Sequence, residues 1–454
     1  MVLRLFNTLT REKEEFRSVH AGEARLYHCG PTVYNYAHIG NLRAYVFADI
    51  LRRMFEYNGY TVKQVMNITD VGEPISDESE DKMAKGLRRE GKPLTLDAMN
   101  ELGAFYAKAF VDDLRALNIK IPQEMPRAST HIKEDNELVQ ILLEKGIAYK
   151  TGDGIYFDIS QFPAYGTRGG FKLGDLKEGA RVGVNEQKRS PRDFALWKFS
   201  GGAIGWESPF GRGFPGWHLE CSAMSKKYLG QPFDIHTGGI DHIPAHHQNE
   251  IAQSEAAYGV PLANYWMHSE FVNIAGGEKM AKSEENFLTL RALAKKGIHP
   301  LSYRYYLLQT HYRSPLAFSW KALIAAQTAY FKLLAAFSRM QKNTVPAAAV
   351  DEINDDLNTP TLIAKLWKFV KEENRNAILD ADKILGLDIE HQSQRITEEA
   401  KTVPEKIKEI AARREAARLA KDFARADALR AEILSTGYEI LDTDSGPIVR
   451  KQIK

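Results

Sequence analysis

Two cysteines, Cys29 and Cys221, are too few for a disulfide-built scaffold in a chain of 454 residues. They could pair with each other, though a reducing compartment argues against that. They could also be inert buried thiols or metal ligands. No run of about 18 apolar residues occurs, so a membrane-spanning helix is not expected. The opening MVLRLFNTLTREKEEF lacks an apolar core of signal-peptide length, and the expected compartment is the cytoplasm. Neither charge is in excess. Sixty-one basic residues face 59 acidic ones, for a net +2, which is not the balance of a histone or ribosomal protein. A nucleic-acid ligand stays open, because local clustering of basic residues matters more than the total. No internal repeat is visible.

At 454 residues the chain is too long for one compact core, and two to four domains are expected. Residues 24–31, ARLYHCGP, read as a strand stopped by Gly-Pro. After His38-Ile39-Gly40, the positions Leu42, Val46, Ile50 and Met54 repeat every four residues, which predicts an amphipathic helix ending near Gly59. TVKQVMNITD reads as a second strand, so the three pieces make a βαβ unit of a parallel sheet. Residues 73–100 read as a charged surface excursion. Residues 120–200 read as an insertion containing the strand GIYFDIS. The parallel pattern resumes with FDIHTGG, a helix over about 246–258, and a strand NYWMHSEFVNI.

From about residue 300 long helical patterns dominate. DIEHQSQRITEEAKTVPE reads as a linker. Beyond it, Leu419, Phe423, Ala426, Leu429 and Ile433 read as one face of a last helix, stopped by Gly437 and followed by a small hairpin, YEILDTDSGPIVRK. Arg413, Arg414, Arg418, Lys421, Arg425 and Arg430 read as a basic outer face.

Three groups of residues carry chemistry. His38-Ile39-Gly40-Asn41 falls between a strand end and a helix start, where exposed amides and the helix dipole suit a phosphate. Lys279-Met280-Ala281-Lys282-Ser283 offers two lysines that can neutralise a leaving pyrophosphate, or else is a solvated basic turn. His246 and Glu250, four apart, share one helix face, and with Cys29 and Cys221 they make a conceivable four-coordinate zinc set. Spacing alone supports that set weakly, since three separate segments must converge.

In this order, the two ATP-type strings resemble the paired motifs of class I aminoacyl-tRNA synthetases. CGPTVYNYAHIGN, DFALWK, GFPGWHLECSAMS, DIHTGGIDHIPAHHQNEIAQSEA and EKMAKS resemble the signature segments of the cysteinyl-tRNA synthetases. The resemblance implies an α/β fold. A Rossmann-like parallel-sheet catalytic domain (1–120 and 201–300) carries a connective insertion (121–200). A helical bundle (301–395) and a small C-terminal α+β anticodon-binding domain (396–454) follow. It implies ATP-dependent activation of L-cysteine and transfer to tRNA(Cys) by a monomer, with one Zn2+ per chain and Mg2+ accompanying ATP.

The resemblance also places residues. Cys29, Cys221, His246 and Glu250 correspond to zinc ligands, with His247 the neighbouring histidine. His38, Asn41, Lys279 and Lys282 correspond to the catalytic ATP motifs. Gly40, Gly239 and Asp241 complete the ATP contacts. Cys29, Thr32, Asn67, Thr69, Trp217 and Asp241 correspond to the cysteine pocket. Serine is smaller than cysteine and nearly isosteric, so size cannot exclude it; a zinc ion prefers the thiolate.

The sequence departs from the class pattern in three places. Asn41 stands where class I enzymes usually have a second histidine, Ala281 stands where a serine or threonine is usual, and GEPISDESE intervenes before Asp81-Lys82. Two other readings share parts of the pattern. A mycothiol-pathway ligase, joining cysteine to an amino sugar, has the zinc site and both ATP motifs but lacks the tail that residues 411–450 resemble. A catalytically inactive tRNA-binding paralogue would draw on Asn41 and the intervening segment.

Overall fold

A computed structural model describes residues 2–72, 82–167, 186–201, 204–274, 288–341, 346, 350–442 and 446–451. In chain order the first half holds β1 (Arg4–Asn7), β2 (Glu12–Glu15), β3 (Glu23–His28), α1 (Ile39–Tyr57), β4 (Thr61–Met66), α2 (Lys82–Arg89), α3 (Leu96–Ala116) and α4 (Ile132–Glu144). The strands β5 (Ala148–Lys150), β6 (Gly154–Phe157), β7 (Phe194–Phe199) and β8 (Gly213–Pro215) come next. Then follow α5 (Trp217–Leu229), β9 (Phe233–Gly239), α6 (Gln248–Tyr258), β10 (Ala263–Ser269) and β11 (Val272–Ile274). The remainder is helical apart from short strands. It runs through α7 (Leu290–Lys295), α8 (Pro300–Leu308), β12 (Leu316–Phe318), α9 (Trp320–Arg339), α10 (Thr359–Lys371), α11 (Arg375–Leu385), α12 (Ile389–Thr402), α13 (Glu405–Leu419), α14 (Phe423–Ser435), β13 (Tyr438–Leu441) and β14 (Ile448–Lys451).

The sheet that positions the site has the order β10-β9-β3-β4, with every pair parallel. From β3 the chain crosses through α1 to β4 on one side; from β9 it crosses through α6 to β10 on the other. The adjacent strands β3 and β9 therefore mark a topological switch point, where ligands bind beyond the strands' carboxyl ends in open α/β sheets. A four-stranded antiparallel sheet, β5-β6-β7-β8, interrupts the parallel pattern between β4 and β9.

Helix α1 is an interior helix. Leu42, Val46, Ile50 and Met54 are all buried, as the four-residue period requires, and so are the charged residues Arg43, Asp49 and Arg53. Asp49 accepts from Arg53 Nε (2.7 Å), Arg304 Nη2 (2.5 Å) and the Lys120 amide (2.8 Å). Arg304 goes on to donate to the carbonyls of Leu385 and Leu117. This buried network ties α1 to α8 and to the ends of α3 and α11. Burial pushes the Asp49 carboxyl up, but Arg304 and Arg53 outweigh it and hold the group below the usual carboxylate range.

Four local expectations change. Residues 389–402, read as linker, form α12. Its apolar stripe is narrow (Ile389, Ile396) and is completed by buried Gln392 and Ser393, so the polar composition masked a helix with one buried face. The single last helix is two, α13 and α14. Lys421 turns the chain at φ 58°, and the Asp422 side chain caps α14 by accepting from the Arg425 amide. Leu419 and Phe423 are consequently exposed at the turn rather than packed on one face. Arg414 leaves the basic outer face: it is buried and donates twice to Asp442 (2.6 and 2.9 Å). Finally, the strand read through NYWMHSEFVNI breaks at Glu270 into β10, paired with β9, and β11, paired with β12.

Candidate active site and metal centre

The site begins where β3 ends. His28 closes the strand, and Cys29-Gly30-Pro31 lead away from it. The Cys29 amide donates to the Thr237 carbonyl (3.1 Å), keeping the loop on the β9 side. Gly30 is required by close approach: a Cβ there would sit 1.6 Å from the Asn67 carbonyl oxygen. From the far side, α5 brings Glu220 and Cys221. A π-helical turn over Ile243–His247 brings His246 and His247, and the first turn of α6 brings Glu250. Such turns inside helices mark functional sites, because the extra residue re-aims neighbouring side chains.

Four buried residues converge. One ligand atom each from Cys29, His246, His247 and Glu250 lies within 4.8 Å of all the others. Glu250 Oε1 is 3.0 Å from His246 Nε2, 3.9 Å from His247 Nε2 and 4.0 Å from Cys29 Sγ. Cys29 Sγ lies 3.3 Å from His247 Nε2. The Cys221 thiol, also buried, belongs to the same buried cluster as Cys29 but is not one of the four donors that meet within 4.8 Å. A second layer of histidines supports the set. His236 Nε2 meets Glu250 Oε2 at 2.8 Å, His246 Nδ1 meets His218 Nδ1 at 2.8 Å, and His247 Nδ1 meets His268 Nε2 at 2.7 Å.

The electrostatics fit a cation. Burial pushes the Cys29 thiol up to about 11; the Cys221 thiol pulls it the other way, and Glu250 adds to the rise. Burial likewise raises Cys221 and Glu250 and drives His246 and His247 well below the ordinary imidazole value. Without a cation, then, the pocket holds neutral imidazoles and thiols that resist ionisation. A divalent ion at their centre reverses the thiol term, since metal binding and deprotonation are coupled. Thiol, imidazole and carboxylate are the donor types of a zinc site.

The remaining described sequence-predicted residues fall on the segments that follow β3, β4 and β9 and at the starts of α1 and α5. His38 is the N-cap of α1, and its Nδ1 accepts from the Asn41 amide (3.1 Å). Gly40 packs on that ring, where a Cβ would approach Nδ1 to 3.0 Å. Thr32 and Thr69 form a parallel bridge. Asn67 and Thr69 are buried with their side chains hydrogen-bonded to each other (3.2 Å). At the end of β9, a Cβ on Gly239 would meet Asp241 Oδ1 at 2.5 Å. Trp217 stacks on His246 (4.4 Å between centroids, 29°), and Lys82 Nζ lies 4.9 Å over its ring. Lys279 and Lys282 fall outside the described residues. The residues flanking them reach the start of α1: Ile39 donates to the Leu288 carbonyl (2.8 Å), and His38 bridges Thr289.

Sequence reasoning passed over His218, His236, His268 and Glu220. A histidine inside a central strand (FDIH) and a carboxylate on a helix packed into the core were the available signals, since buried ionisable groups need a purpose.

With the geometry in place, comparison with known proteins is informative. The methionyl-tRNA synthetase of Mycobacterium tuberculosis bound by methionyl-adenylate superposes with a TM-score of 0.53 at 15% identity, covering 83% of this chain and 84% of that one. The fold is therefore that of a class I aminoacyl-tRNA synthetase. The family model for the tRNA synthetases class I (C) catalytic domain matches residues 15–328. Cysteine–tRNA ligase 1 of Burkholderia lata is 45% identical over 98% of this chain and 96% of its own length; the cysteine–tRNA ligase of Treponema denticola is 40% identical over the whole of both. The chain belongs to the cysteine–tRNA ligase family of class I tRNA synthetases.

Proposed function

We propose that this protein is a cysteine–tRNA ligase that activates L-cysteine with Mg-ATP and transfers it to tRNA(Cys), using a zinc ion held by Cys29, Cys221, His246 and Glu250. The observation that carries the reading is the buried Cys/His/Glu set at the switch point of the parallel sheet, in a chain similar along its whole length to cysteine–tRNA ligases. Zinc, when bound, supplies a soft Lewis acid that takes a thiol as thiolate and takes a hydroxyl poorly. Rejecting serine by roughly 10⁴-fold needs about 5.5 kcal/mol, a difference that a thiol-selective pocket can supply without an editing step.

The chain's own residues position and neutralise. Trp217, stacked on His246, closes the side of the pocket. Asp241 pairs with the substrate ammonium, and Thr32, Asn67 and Thr69 hold the aminoacyl group. The N-terminus of α1, with His38, Gly40 and Asn41, receives the phosphates; Gly239 lets the adenosine approach. Lys279 and Lys282 neutralise pyrophosphate as the cysteine carboxylate attacks the α-phosphorus. A ribose hydroxyl of the terminal adenosine then attacks the carbonyl carbon of cysteinyl-adenylate, the bond to phosphate breaks and AMP leaves. No protein nucleophile is needed; catalysis comes from orientation and charge stabilisation. Residues 301–395 and 396–454 contact the tRNA, and the enzyme works as a cytoplasmic monomer. Among the described residues no helix is long and apolar enough to cross a membrane.

The test is charging of a tRNA(Cys) transcript by the purified, zinc-loaded protein with labelled cysteine, and with serine as control. Charging with cysteine alone supports the reading. Cysteine-driven pyrophosphate exchange without charging points instead to a ligase acting on another acceptor, and neither activity points to an inactive paralogue.

A further inference from the structure

A carboxylate outside the assigned site ends a run of hydrogen bonds that ties the Cys29 segment to the Cys221 segment. The Gly30 amide, next to Cys29, donates to Asn67 Oδ1 (2.8 Å). Asn67 Nδ2 donates to Thr69 Oγ1 (3.2 Å), and the Thr69 hydroxyl donates to Glu220 Oε2 (2.9 Å). Glu220 is bonded through the chain to Cys221, which shares one buried cluster with Cys29. The run thus passes from Cys29 through Gly30, Asn67, Thr69 and Glu220 to Cys221.

Two features give the run weight. Glu220 is fully buried, and its other oxygen, Oε1, has no hydrogen-bond partner among the described residues. Burying a carboxyl with one neutral partner is costly, and packing alone is served better by an apolar side chain. The nearby Asp70 differs: it accepts from Arg127 Nε (2.7 Å) and from Ser129, so that carboxylate is fully engaged. The run also has no slack. Asn67 uses both ends of its amide, the Thr69 hydroxyl hydrogen is spent on Glu220, and the Thr69 amide holds the loop again through the Pro31 carbonyl (3.0 Å).

We propose that Glu220 is a positioning residue: through Thr69 and Asn67 it fixes where the Cys29 loop stands relative to Cys221, and so sets the affinity of the metal pocket and its preference for cysteine. This rests on the zinc reading given above. Fixing the separation of two soft donors is what selects a soft ion and leaves room for a third thiol. Outer-shell groups of this kind change metal affinity by about 10–100-fold when removed.

The test compares full-length wild type, Glu220→Ala, Glu220→Gln and Thr69→Val. The readouts are zinc affinity by competition with a chromophoric chelator, the thiolate-to-cobalt charge-transfer band of the Co2+-substituted protein, and KM for cysteine against KM for ATP. Glu220→Ala is expected to lose about 10–100-fold in zinc affinity, to shift or weaken the cobalt band, and to raise KM for cysteine while KM for ATP holds. Glu220→Gln keeps an acceptor for Thr69 and should restore all three. Thr69→Val, which removes the same bond at nearly constant volume, should reproduce the loss of zinc affinity and the change in the cobalt band, whatever its direct place in the aminoacyl pocket does to KM for cysteine, and serves if Glu220→Ala fails to fold. Wild-type affinity and band in both Glu220→Ala and Thr69→Val, or a loss that glutamine does not rescue, overturns the proposal. A wild-type protein that takes up neither zinc nor cobalt overturns the zinc reading and this inference together.

Discussion

Replacing His236 by alanine should loosen the metal without touching a proposed ligand. Glu250 divides its two oxygens: Oε1 faces His246, His247 and Cys29, while Oε2 accepts from His236 at 2.8 Å. Both residues are fully buried. Leaving a buried acceptor unpaired costs about 1–3 kcal/mol. The effect expected for a second-layer ligand, about 10–100-fold in metal affinity, corresponds to about 1.4–2.7 kcal/mol. The two routes agree. His236 also stacks on Trp266 (4.4 Å between centroids, 12°), so alanine removes packing as well and will lower the unfolding midpoint. His236→Gln separates the two effects, because it retains a donor for Glu250 while losing the ring stack. Chelator competition should give a zinc Kd raised 10–100-fold in His236→Ala and largely restored in His236→Gln. A lowered midpoint with an unchanged zinc Kd in His236→Ala would refute the reasoning and leave the histidine as core packing.

Other outcomes follow from the same geometry. Cys221→Ser should lose zinc whereas His247→Ala should keep one zinc per chain, measured by atomic absorption; the reverse result makes Cys29, His246, His247 and Glu250, whose donor atoms meet within 4.8 Å, the coordination set. Asp49→Asn leaves two buried guanidinium groups facing a neutral side chain. Chemical denaturation should show a loss of about 3–5 kcal/mol, with zinc content unchanged. Asp113 carries a pH dependence far from the site. Burial pushes its carboxyl up to about 7, with Asp112 adding, so the folded state holds a proton that the unfolded chain has released. The carboxyl therefore costs nothing near pH 4 and becomes destabilising as pH rises from about 4 towards 7. Because the group is only partly buried, Asp113→Asn should gain about 1 kcal/mol at pH 8 and nothing at pH 4, read from unfolding midpoints at the two pH values.

Local signals proved sound where a repeat and a stop signal coincided. The period of four in α1, the strand FDIHTGG (which runs on through both glycines) and the hairpin at 438–451 all stand in the structure. Local reading failed where a buried face was narrow or polar. Helix α12 hid behind its charged residues, and Arg414 looked like any other residue of a basic stripe until its partner, 28 positions on, came within reach.

The site divides in the same way. The sequence by itself determined the helix-start motif at His38, the strand end at Gly30-Pro31 and the pairing of His246 with Glu250, because each depends on neighbours within one turn of chain or one strand end. The motif order was enough to recognise the family. Only the tertiary structure decided which donors meet. Residues 29, 221 and 246–250 are joined by the switch point between β3 and β9, and no local period encodes a contact across some 190 residues of chain. The same holds for His236 beneath Glu250 and for the link from Glu220 to Gly30. A buried carboxyl or imidazole in the sequence signals that a partner exists, and only the packed sheet says which one.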